Sequence, residues 1–336
     1  MRRTTMETGV AFAGGGIPGI AGVGVLIALE EAGIKVTHVT GTSSGSMVAA
    51  LYAYGYRPEE LVRIVPRLNR RYLDFDWRSI LFKALFWRPR LEGWMKGDRL
   101  KKLMAELTHD KPVSSLGLPC GIVATDLYKG ETIVFSSRKI EGYPEEQDVS
   151  IADAVRSSFS IPVLFRPVYY GSRLLIDGGV SANCPVRICR AMGAKHVIAI
   201  DPISPIADAE IVISSFNVLH KVVHMNLKLQ MAHELKHADA VILPQVGRAG
   251  VFDFRKGIDC IEAGYKAAIS RMEELKQLLS QEPVTVGIED DVPEAITETH
   301  SSSIIPGDSV EPSSWMSRPD GAAAIPASDS EQTADH

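Results

Sequence analysis

The chain has 336 residues, room for one large domain or two smaller ones. Its 45% hydrophobic and 23% charged residues are those of an ordinary globular protein. A formal net charge of -5 argues against a broad nucleic-acid-binding surface. The four cysteines, Cys120, Cys184, Cys189 and Cys260, form no C-x-x-C pair. Zinc and thioredoxin-like readings therefore have little support, and a reduced, cytoplasmic protein with buried thiols is the expectation.

In chain order, Arg2 and Arg3 precede an uncharged stretch over 8–29, about the length that spans a bilayer. Gly14, Gly15, Gly16, Pro18, Gly19, Gly22 and Gly24 break it up, so a strand, a glycine turn and a buried helix explain it better than an anchor. The pattern predicts a strand over 9–13, a glycine loop over 14–19, a helix over 23–32 stopped by Gly33, a strand over 36–40 and a helix over 44–54 stopped by Gly55. Strands alternating with helices predict an α/β fold with a mostly parallel sheet covered on both faces.

Helices are further expected over 58–65, 97–107, 151–158, 217–237 and 258–279, and strands over 119–124, 132–136, 173–176, 194–200 and 241–243. The stretch 72–94 interleaves Tyr72, Phe75, Trp77, Phe82, Phe86, Trp87 and Trp94 with Arg and Lys. It reads either as a packed helical insert or as a lid or membrane-facing surface, with rings at the interface and cations toward headgroups. Beyond 281 the composition turns to Ser, Pro, Glu, Asp and Ala without period, and a disordered tail over 281–336 is expected.

Gly14-Gly15-Gly16-Ile17-Pro18-Gly19 satisfies G-x-G-x-x-G between a strand and a helix. A dinucleotide site of that kind wants a carboxylate about twenty positions on. His38, Val39, Thr40, Gly41 and Thr42 stand there instead, so no cofactor is called for. What the second strand does run into is Gly41-Thr42-Ser43-Ser44-Gly45, a G-x-S-x-G pattern whose small residues permit a sharp strand-to-helix turn. Such a turn presents the serine at a helix N-terminus, where N–H groups favour developing negative charge. The glycine loop then offers Gly14, Gly15 and Gly16 as N–H donors to an oxyanion. Asp177-Gly178-Gly179 follows a strand directly, which puts a carboxylate on the rim where parallel sheets place active sites.

Together these residues resemble the patatin-like phospholipases. The ordered set comprises the glycine loop (Gly14, Gly16, Gly19), the elbow (Gly41, Ser43, Gly45) and the D-G-G element (Asp177, Gly178, Gly179). Ser157-Ser158-Phe159-Ser160-Ile161-Pro162 adds a likeness to the family's A-S-x-x-x-P segment. The resemblance covers about 9–190, with 191–280 completing the same fold. It implies a three-layer α/β/α domain and a serine acyl hydrolase of lipid esters, phospholipase A or lysophospholipase in type. Ser43 would be the nucleophile, Asp177 the proton acceptor and Gly14, Gly15 and Gly16 the oxyanion hole, with no metal and no cofactor. Pro18 stands where many members carry Arg or Lys, and Ser44 and Ser46 replace the usual alanines.

Two other readings stay open. His220, His224, His233 and His237 follow Asp177 on one helix, so a Ser-His-Asp esterase is admissible. A catalytically inert lipid-binding protein on the same fold is the other. Location in the cytoplasm, with peripheral membrane contact through 72–94, completes the expectation.

Overall fold

The structure, a computed structural model, describes residues 7–75, 93–143, 146, 148–202 and 215–281, without the side chains at 215–217, 219, 220, 223 and 224. All of these belong to one compact unit. Most of the aromatic stretch 72–94, and the tail from 282 onward, lie outside the described residues.

Among the described residues, eight strands form one sheet: β1 (Thr8–Phe12), β2 (Val36–Thr42), β3 (Cys120–Asp126), β4 (Thr132–Ser136), β5 (Val168–Tyr170), β6 (Arg173–Asp177), β7 (His196–Ile200) and β8 (Ala240–Ile242). Parallel pairing links β3, β2, β1, β7 and β8 in that order. The helices are α1 (Ala21–Glu31), α2 (Ser44–Tyr54), α3 (Pro58–Ile64), α4 (Asp98–Thr108), α5 (Ile151–Ser158), α6 (Gly179–Ala182), α7 (Val186–Ala191), α8 (Ser215–Leu235), α9 (Gly257–Ile269) and α10 (Met272–Leu279).

Strand alternation separates two faces. Val10 and Phe12 of β1 and Ile198 and Ile200 of β7 join a core with Leu26 of α1, Met47 of α2 and Ile261 of α9. Ala11, Val197 and Ala199, one position out of step, pack with Val186 and Cys189 of α7 and Met231 of α8. Helices thus cover both faces of a largely parallel sheet, the mixed α/β architecture expected. Strands buried on both sides explain the unbroken apolar runs of β1 and β7.

One edge of β3 brings distant pieces of chain together. Val123 pairs with Thr42 of β2 on one side and Val134 of β4 on the other. The next residue, Ala124, pairs with Ile133 of β4 and Asp177 of β6. Strands β2 and β6 therefore share the edge of β3 that β4 does not use. They run in opposite directions and meet C-terminus to C-terminus.

The uncharged stretch 8–29 is β1, the glycine loop and α1, and no helix among the described residues is long and apolar enough to cross a membrane. Three short elements, β5, α6 and α7, carry too few residues to show a period. The helix expected over 258–279 is two, α9 and α10, parted at Ser270-Arg271. Arg271 turns its guanidinium onto the carbonyl of Val241 in β8, tying the break to the sheet.

Candidate active site

Ser43 follows Thr42 out of β2 and sits at the N-cap of α2 with φ 53° and ψ -125°. That left-handed backbone is strained for a side chain with a Cβ, by about 1–3 kcal/mol. The two elbow glycines make it feasible. A Cβ on Gly41 would stand 2.3 Å from the carbonyl oxygen of Gly45, and one on Gly45 would stand 2.4 Å from that of Phe12. The turn is held from outside as well. The Ser43 N–H donates to Ser158 Oγ at 2.8 Å, and Ser46 Oγ donates to the Ser43 carbonyl at 2.6 Å.

Asp177 ends β6 opposite, and is buried. Its N–H donates to the Ser160 carbonyl at 2.9 Å. Ser160 is fixed in turn by the buried guanidinium of Arg156, which donates to Ser160 Oγ at 2.6 Å. The segment 156–160 thus braces both Ser43 and Asp177. Oδ1 of Asp177 accepts the Gly179 N–H at 2.8 Å, while Oδ2 is buried with no aligned donor. Desolvation raises the carboxyl pKa to about 6, against the opposing pulls of the Ser43 hydroxyl and the Gly179 amide. The Ser43 hydroxyl is close enough to act on this carboxylate without being aligned as a donor to Oδ2.

The glycine loop borders Ser43. A Cβ on Gly14 would stand 2.9 Å from Ser43 Cβ. The three glycines are not equivalent, however. The Gly14 N–H donates to the Asn183 carbonyl at 3.3 Å, whereas those of Gly15 and Gly16 have no partner among the described residues. Gly15 and Gly16 adopt φ 140° and 69°, which favour glycine. The loop's outer side is occupied: the Ile17 N–H donates to the Val251 carbonyl at 3.0 Å, and a Cβ on Gly16 would stand 2.3 Å from that oxygen.

Beneath Gly16 and Ser44 lies a narrow apolar pocket walled by Ile20, Met47, Leu68, Phe159, Phe165 and Phe252, among others. The cavity they enclose measures about 40 Å³. Phe252 meets Phe165, also in the lining, at 6.3 Å between ring centroids.

The histidines whose side chains are described engage elsewhere. His38 meets Thr37, His109 meets Tyr54, and His233 packs on His237. His196 lies at the opposite, N-terminal end of β7. Among the described residues no group of three or more His, Cys, Asp or Glu is placed to hold a metal ion. Sequence reasoning missed the parts played by Ser158, Ser160, Asn183 and Phe252. The first two lie in a segment noted for its likeness; Asn183 and Phe252 carry no local signal.

The family profile described as Patatin-like phospholipase matches residues 10–190. The uncharacterized protein YqhO of Bacillus subtilis is 32% identical over 204 residues, covering 56% of this chain and 69% of YqhO. Patatin-like phospholipase domain-containing protein 6 of Mus musculus is 34% identical over 196 residues, covering 57% of this chain but 13% of that much longer protein. Among solved structures, VipD from Legionella pneumophila superposes with a TM-score of 0.50 at 17% identity, over 82% of this chain and 67% of VipD, a likeness of fold. On the profile match and the YqhO similarity, the chain belongs to the patatin-like phospholipase family.

Proposed function

We propose that the chain hydrolyses carboxylic esters of lipids through a Ser43–Asp177 dyad. The observation that carries this reading is the buried carboxyl of Asp177, whose Oδ2 is short of a donor and whose pKa the Ser43 hydroxyl affects. A carboxylate near its ordinary pKa of 3.8 is a poor base; one raised to about 6 holds a proton better and is still ionised at neutral pH.

Ser43 Oγ attacks the ester carbonyl as its proton passes to Asp177 Oδ2. The oxyanion is held by the N–H groups of Gly15 and Gly16, the two left unpaired, and by the N-terminal end of α2. Collapse expels the alcohol, which takes the proton from Asp177. Water, giving a proton to Asp177, then attacks the acyl-Ser43 ester; collapse breaks the bond to Ser43 Oγ, which takes the proton back from Asp177, and the fatty acid leaves. The apolar pocket beneath Gly16 takes the acyl chain. Gly14 is left as a packing glycine, its amide given to Asn183.

Hydrolysis of a panel of phospholipids, lysophospholipids, neutral glycerolipids and simple acyl esters tests the reading. Wild-type protein is expected to release fatty acid from at least one class, and Asp177→Asn to lose about a thousandfold or more in kcat. Turnover by Asp177→Asn at the wild-type rate would overturn the dyad.

A further inference from the structure

The outer side of α8 carries an apolar stripe that no described residue covers. Val218, Val222, Met225 and Leu229 are 49%, 56%, 54% and 72% exposed. Their spacing, i, i+4, i+7 and i+11, lines them up along one side of the helix. The inner side is spoken for. Asn226 Nδ2 donates to the Val180 carbonyl at 3.2 Å, and Leu227 reaches within 3.0 Å of where a Cβ on Gly179 would stand. Met231 is buried and accepts from Asn183 Nδ2 at 3.4 Å. The helix that exposes the stripe is therefore seated on the turn that follows Asp177.

Charge points to what the stripe meets. Between 215 and 233 the charged residues are Lys221 and Lys228, with no Asp or Glu. Helical geometry places both lysines along one flank of the stripe. Neither forms an ion pair with a described carboxylate. In a chain of net charge -5, this is a local cationic, apolar surface. An apolar face flanked by lysine is the signature of a helix lying in a bilayer interface, and monomers seldom leave such a patch bare. A second copy packed on the stripe about a two-fold axis would bring its own lysines and no carboxylate from the same helix, so it lacks the complementary charge.

We propose that α8 docks the protein on an anionic phospholipid leaflet. The four apolar side chains enter the headgroup boundary and Lys221 and Lys228 face the phosphates. The choice of partner rests on the reading of the chain as a lipid ester hydrolase. Docking by α8 brings the wall of the Asp177 turn to the membrane that holds the substrate.

Flotation with vesicles of phosphatidylcholine, alone or mixed with phosphatidylglycerol, tests the proposal. Wild-type protein is expected to float with the mixed vesicles and to be released by salt. The Met225→Glu, Leu229→Glu double variant, whose changes lie on exposed positions, is expected to unfold at the wild-type temperature and to turn over a soluble short-chain ester normally. Its vesicle affinity should fall on the order of tenfold or more. Lys221→Gln with Lys228→Gln should lower affinity for mixed vesicles about tenfold and erase the preference over phosphatidylcholine. Wild-type protein that ignores vesicles, or a double variant that binds them equally well, overturns the proposal. So does a wild-type dimer that the double variant splits with vesicle binding unchanged. Vesicle binding by a protein that cleaves no ester supports the docking and sinks the hydrolase reading; ester cleavage without vesicle binding does the reverse.

Discussion

The carboxylate of Asp177 has exchanged water for one amide, from Gly179, and a neighbouring hydroxyl, and desolvation outweighs both, so its pKa rises from 3.8 to about 6. Two consequences differ in sign. For chemistry, only the ionised form accepts the Ser43 proton. kcat/KM on a soluble ester should therefore fall tenfold per pH unit below about 6, with half the activity gone near that value. A pH–rate profile flat down to pH 4 would contradict the assignment. For stability, a carboxyl whose folded pKa is raised binds its proton more tightly when folded. Stability from this group is greatest below pH 4 and is lost as pH rises toward 6. The gap between 3.8 and about 6 amounts to about 3 kcal/mol. Asp177→Asn should thus raise the thermal midpoint at pH 7 and leave it nearly unchanged near pH 4, as scanning calorimetry would read. A dead variant that is also more stable is the mark of a residue kept for function. The sharp turns at Ser43 and Asp177 were legible because Gly41 and Gly45 flank the first and Gly178 and Gly179 follow the second. The different state of Gly14 was not, since its amide goes to Asn183, far away in sequence.

Elements whose periodicity and caps agree were read to the residue. Helix α2 runs from the elbow to Gly55, α5 starts on the Ser150 cap whose Oγ accepts the Asp153 N–H, and β4 fills the span between its turns. Where tertiary contacts decide, local pattern failed. The apolar period of Ile261, Ala268, Met272 and Leu275 runs unbroken through Ser270-Arg271, with no Gly or Pro to signal the break. The segment 244–256 gave no signal either, yet its Val251 carbonyl holds the glycine loop and its Phe252 walls the pocket. A prediction belongs to that segment. Phe252→Ala enlarges the pocket, so the preference among straight-chain p-nitrophenyl esters should move about tenfold toward longer acyl chains. Activity on the shortest ester should persist. An unchanged chain-length profile would remove Phe252 from the acyl pocket.

Across the whole molecule, the site exists because one edge of β3 is shared. Strand β2 delivers Ser43 along it from one direction and β6 delivers Asp177 from the other, while β1, beside β2, contributes the glycine loop. The sheet class could be read from alternating strands and helices. The antiparallel entry of β6 could not, because pairing over so many residues leaves no local trace. Chain segments near 15, 43, 160, 177 and 252 therefore converge only in the folded protein, around Ser43 Oγ. Labelling with a fluorophosphonate, followed by mass mapping of the modified peptide, tests that atom most directly. A single adduct on Ser43 is expected, absent from Ser43→Ala and sharply slowed in Asp177→Asn. An adduct on another residue, or Ser43→Ala that still hydrolyses lipid esters at the wild-type rate, would contradict it.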